Sequence, residues 1–294
     1  MAKQYQLFDL PKEDGRVLSF APLRYPIWTK NKAKLIERYL YYFVMITKHG
    51  AYIDGFAGPQ NASKTEAWAA KLVLETEPRW LRNFFFCDKN ERQFRRLEAL
   101  KASQPARQRG EPIRTIDISH ADFNQAVDEI LDSDQLGPNT ATFCLLDQRT
   151  FQCHWRTVEV LARHKPEQMK VELFYFLPTG WFDRTFHALR DKSVIERWWG
   201  KSDWASLGGM SGHERAELMC ARFRDELGYQ YAFALPIYGE RLGGRVMYHM
   251  IHATDHPVAP NLMVRAYRQA VKRKEPLEQL ELELDQWQTS ERDE

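Results

Sequence analysis

No run in the sequence approaches the length and apolarity of a membrane span, and Met1–Pro11 lacks the apolar core of a secretory signal. Cysteine is scarce. Cys87, Cys144, Cys153 and Cys220 form no CxxC pair, and Cys87 and Cys144 lie inside apolar runs. That excludes a disulfide framework and points to a reducing compartment, so a cytoplasmic protein with no membrane partner is expected. An excess of one charge is missing too: 42 basic against 40 acidic side chains leave a formal +2. There is no Walker loop, no HExxH and no Ser-His-Asp set with a nucleophile elbow, which removes those enzyme classes. His249 and His252 sit three apart on a predicted strand and point to opposite faces, and Cys153-His154 has no complement, so no metal site is expected.

What is present is ordinary globular material. The 294 residues are 44% apolar and 28% charged, enough for one large core. Basic residues gather on three predicted helices: Lys30, Lys32, Lys34 and Arg38; Arg92, Arg95 and Arg96; Arg265, Arg268 and Lys272–Lys274. Such faces attract nucleic acid or are simply solvated.

Short apolar runs alternate with amphipathic stretches. Helices are predicted over Trp28–Lys48, Glu66–Glu75, Glu91–Lys101, Asn124–Leu131, Trp155–Arg163 and Asp183–Arg190. Strands are predicted over Ala51–Ile53, Asn83–Cys87, Arg114–Ile118, Thr142–Leu146 and Val171–Leu177. Strand-then-helix alternation requires crossovers, hence a parallel sheet with helices on both faces. After a Trp/Gly-rich loop or small insertion at Trp198–Gly212 comes a helix, Glu214–Leu227. Tyr229–Leu235 and Val246–Ala253 have no room for a helix between them and form an antiparallel hairpin, before a last helix at Met263–Lys272. The division expected is an N-terminal segment and helix (1–49), an α/β domain (50–274) and a charged extension (275–294).

In such a sheet the ligand lies beyond the carboxyl ends of the strands. Four strands in turn lead to Asp54, Asp88, Asp122 and Asp147. Each also has a plain reading as a turn former or helix cap.

The block Tyr52-Ile53-Asp54-Gly55-Phe56-Ala57-Gly58-Pro59 resembles the first motif of nucleic-acid-directed class I methyltransferases. The wider pattern resembles the three-Cys-motif partner protein (TcmP) family: Trp28-Thr29-Lys30, Asp122-Phe123-Asn124, Asp147-Gln148-Arg149-Thr150-Phe151 with Trp155, and Pro178-Thr179-Gly180-Trp181. The resemblance implies a Rossmann-like class I methyltransferase fold and S-adenosylmethionine as cofactor. Asp54 would sit near its methionine end. Gly55, Ala57 and Gly58 would let the backbone approach, with Phe56 and Pro59 in the same turn. Asp88 would accept the ribose hydroxyls, and Asp122 and Phe123 would hold the adenine. Asp147 would accept from a target amine, Gln148 would read a base edge and Phe151 would stack on the base. Lys30, Arg149, Trp155 and Trp181 fall on the substrate side, with DNA or RNA as substrate and a three-Cys-motif protein as a possible partner. Two departures stand out: Asp147 is not followed by the prolines of amino-methylating enzymes, and Gln60 replaces a glycine. They leave a second reading open, a catalytically silent module that binds a partner protein or nucleic acid.

Overall fold

In the computed structural model, residues 29–59, 65–166, 169–180, 182–238 and 246–271 are described. The strands are β1 (Ala51–Asp54), β2 (Asn83–Cys87), β3 (Thr115–Ser119), β4 (Thr142–Leu146), β5 (Glu172–Leu177), β6 (Tyr231–Tyr238) and β7 (Val246–Thr254). They form one seven-stranded sheet in the order β3-β2-β1-β4-β5-β7-β6. The first five are parallel, whereas β7 runs antiparallel to both β5 and β6. This is the expected Rossmann-like class I methyltransferase fold, C-terminal hairpin included. Chain order reverses between β1 and β4, which pair through Ala51–Thr142 and Asp54–Leu145.

Two helical layers cover the sheet because side chains alternate across it. Phe84 and Phe86 of β2 join one core with Tyr52, Phe143 and Phe174. Helices α1 (Thr29–Thr47), α2 (Ala69–Glu75), α3 (Glu91–Ala102) and α9 (Ala259–Val271) close it. Phe85 and Cys87 point the other way, into a core with Ile53, Leu146 and Tyr175. Helices α4 (Phe123–Leu131), α5 (Trp155–Arg163), α6 (Phe182–Ala188), α7 (Ser193–Trp199) and α8 (Gly212–Asp225) cover that side.

The stretch 198–212, expected as a loop or small insertion, is partly helical. It holds the end of α7 and a 3-10 helix at Ser202–Gly209. Trp198 and Trp199 are buried in the second core, as a core cap requires. Among the described residues, no helix is long and apolar enough to cross a membrane.

Candidate functional site

The carboxyl ends of β1 to β4 open onto a cleft of about 850 Å³. Small-molecule pockets occupy roughly 300–1,000 Å³, so a nucleoside-sized ligand fits with room to spare. Gly55, Phe56 and Gly58 of the β1 turn line it, with Asp88, Asp122, Phe123 and Asp147 from the next strand ends.

The β1 turn is stitched to its neighbours. The Gly55 N–H donates to the Leu145 carbonyl (3.1 Å) and that of Ala57 to the Cys87 carbonyl (2.9 Å). Trp68 Nε1 donates to the Ala57 carbonyl (2.7 Å) and Gln93 Nε2 to that of Pro59 (3.0 Å). Ala57 and Pro59 are therefore buried supports and do not line the cleft. The glycines answer to packing within the chain: a Cβ on Gly55 would come within 2.6 Å of the Phe123 ring, and one on Gly58 within 2.5 Å of Gln93 Cβ. Phe123 is 2% exposed and meets the half-buried Phe56 edge-on at 6.2 Å.

Asp54 does not face the cleft as expected. It lies under the turn, 2% exposed, accepting from the Phe56 N–H (3.1 Å) and the Tyr52 hydroxyl (3.3 Å). Burial raises its pKa to about 8. The Phe56 hydrogen bond opposes that rise and the Asp147 charge adds to it. Asp54 is thus neutral over much of the range near pH 7.

Asp88 and Asp122 do share the cleft. Asp88 Oδ2 accepts from the Gly58 N–H (3.0 Å) and Oδ1 from the Asn90 N–H (2.8 Å). A carboxylate has about four lone-pair sites, so both oxygens stay oriented and retain capacity for a pair of hydroxyls. Asp122 caps α4 through Asn124 N (3.0 Å) and also accepts from Asn124 Nδ2 (2.7 Å) and Lys89 Nζ (3.3 Å). Burial works against its ionised form, but these contacts outweigh burial and lower its pKa. Asn124 then binds Gln152, His154 and Thr157, tying the β4 loop to α4.

The β4 loop corrects several expectations. Gln148 is fully buried, donating to the Phe176 carbonyl (3.1 Å) and accepting from the Cys153 N–H, so it has no face for a base. Phe151 packs in the core against Trp198 (4.8 Å) and Phe182 (5.4 Å) and offers no stacking surface. Trp155 is 3% exposed with the Arg222 guanidinium 3.7 Å from its ring centre, which removes it from the substrate side. Arg149 is exposed and lines the cleft. Lys30 falls in α1, while its side chain, Trp181 and Gln60 lie outside the described residues.

Sequence reading missed Lys32. From the first turn of α1 its ammonium pairs with Asp147 Oδ2, the two side chains being 6% and 12% exposed. It also stands 5.6 Å from the Tyr248 ring centre. Burial disfavours its charge, yet Asp147 overrides that and the Lys32 pKa is raised. A partner 115 residues away leaves no local signal.

No protein-family model matches the sequence, and no curated protein does either. Solved structures it is similar to include protein LPL1258 from Legionella pneumophila, 9% identical with a TM-score of 0.44, covering 81% of this chain and 89% of that one. The methyltransferase domain of a bacterial Hen1 is 12% identical at TM-score 0.43, covering 76% and 99%. The small RNA methyltransferase HEN1 is 11% identical at TM-score 0.45, covering 82% of this chain and 28% of that one.

Proposed function

We propose that this chain is an S-adenosylmethionine-dependent methyltransferase of the TcmP kind, acting on an amino nitrogen of a nucleobase in DNA or RNA. The observation that carries this reading is the cleft itself. A glycine turn, a pre-oriented Asp88, an ionised Asp122 and the Phe56–Phe123 pair converge on one nucleoside-sized space at the sheet's switch point. These residues fit the adenosyl group: Asp88 would take the ribose hydroxyls, and Asp122 with Phe123 the adenine. When bound, S-adenosylmethionine supplies an electrophilic methyl group on a sulfonium sulfur. The protein's part is alignment and desolvation more than acid–base chemistry. Asp147, paired with Lys32, would accept a hydrogen from the target amine. Asp54, beneath the turn, braces Phe56.

The test is transfer of a labelled methyl group to pooled DNA and RNA by the wild type and by Asp147→Ala. The reading predicts incorporation that the variant loses. Incorporation unchanged in Asp147→Ala would remove Asp147 from the chemistry.

One observation favours the silent module instead. Gln148 and Phe151, the residues that would read and stack on a base, are spent inside the protein. Such a module would bind nucleic acid or a three-Cys-motif protein without transferring methyl. A chain that binds S-adenosylmethionine yet methylates no pool, while retaining a strand or such a protein, would support it.

A further inference from the structure

Charge in the cleft is sorted by depth. Asp88, Asp122 and Asp147 are half-buried at its floor, whereas Lys89, Arg92, Arg95 and Arg149 are exposed at its mouth. Two of these cations reach acids of the cleft, Arg95 to Glu91 at 2.6 Å and Lys89 to Asp122 at 3.3 Å. Asp147 is neutralised by Lys32 from behind. The mouth thus keeps a surplus of positive charge on a chain whose formal total is only +2. Arg92, Arg95 and Arg96 recur at i, i+3 and i+4 on α3, which sets them along one helix face. Arginine predominates, and its planar fork matches phosphate oxygens better than a lysine point charge does.

We propose that the mouth of the cleft is a phosphodiester-binding surface. A single nucleic-acid strand would lie with its backbone against α3 and Arg149 and one base turned down toward Asp147. The two zones complement different parts of a nucleotide. Phosphates meet the cations, while a base amine, which donates, meets the Asp147 carboxylate, which only accepts. An acidic peptide fits the mouth but is repelled by the floor. A base stacked in a duplex does not reach the floor without being flipped out, so a single strand is the form that fits. The inference names the substrate class for the proposed reaction, yet the surface stands without methyl transfer.

Fluorescence anisotropy with a labelled mixed-sequence 12-nucleotide DNA or RNA, single-stranded and duplex, tests it between 50 and 200 mM KCl. Single strands bind, and more tightly than the duplex. In Arg92→Ala/Arg95→Ala/Arg149→Ala the affinity falls at least tenfold at low salt. The log–log salt slope shrinks by about 2, near 0.7 for each phosphate left without its cation. All three residues are exposed, so the melting temperature should not move. Arg156→Ala/Arg163→Ala, on the exposed side of α5, retains wild-type binding. The proposal is overturned by a wild type that binds no strand, by a triple variant that binds as well as the wild type, or by poly-glutamate competing as well as the oligonucleotide. Titration with S-adenosylmethionine reads the methyltransferase assignment separately: strand binding without cofactor binding would remove that assignment and leave this surface.

Discussion

An aspartate closes β1 and another follows β4 at the switch point of the sheet, yet the two acids live differently. Asp54 is tucked under its turn, with a tyrosine hydroxyl and a main-chain N–H as partners, and burial holds its proton to about pH 8. Asp147 lines the cleft and faces a buried ammonium. Residue type is the same, but Asp54 closes β1 opposite Leu145 while Asp147 lies two residues further out, and the partners differ with the position. The turns differ as well in what they spend inward. The β1 turn keeps Gly55, Phe56 and Gly58 on the cleft, whereas the β4 loop commits Gln148 and Phe151 to the interior and leaves Arg149 outside.

The comparison is open to attack at each point. If the β4 loop is anchored by its aromatic, Phe151→Ala costs about 3–5 kcal/mol in urea unfolding, the usual range for a buried phenylalanine. Lys32→Met should cost about as much, because it removes the buried ammonium that pairs with the Asp147 carboxylate, and Lys32→Met/Asp147→Leu should recover most of the loss. A double variant no more stable than Lys32→Met would contradict the pairing.

At Asp54 the sign follows from its raised pKa. The unfolded chain releases this proton near pH 4 and the folded chain near pH 8, so the wild type loses stability across that interval. Asp54→Asn should gain on it by on the order of 1–3 kcal/mol between those limits, read from unfolding curves at several pH values. A gap independent of pH would mean that Asp54 is ionised in the fold. Gly58→Ala drives a Cβ against Gln93 and the Asp88 carboxylate, and a loss of about 1–3 kcal/mol is expected by the same method. Arg149→Ala, exposed at the mouth, should move stability by no more than about 0.5 kcal/mol.

Much of the fold was legible because its signals are local. Asn83–Cys87 and Thr142–Leu146 are short apolar runs, and both strands fall where those runs do. The short α7 and the 3-10 helix after it escaped, since seven and eight residues are too few to show a helical period. In the site, strand-end position was enough to bring Asp88, Asp122 and Asp147 to one cleft. It did not fix where side chains point within a loop, which has no periodicity to read. Gln148 and Phe151 went to the core for that reason, whereas Trp155 packs inward as the first residue of α5. Lys32 escaped because its role exists only once α1 meets the end of β4.

The central claim is that the cleft binds an adenosyl group through Asp88. Calorimetric titration with S-adenosylmethionine tests it most directly. The account predicts saturable one-site binding to the wild type and its loss in an Asp88→Ala protein that still unfolds cooperatively; no heat of binding at millimolar ligand, or equal affinity in the variant, would contradict it.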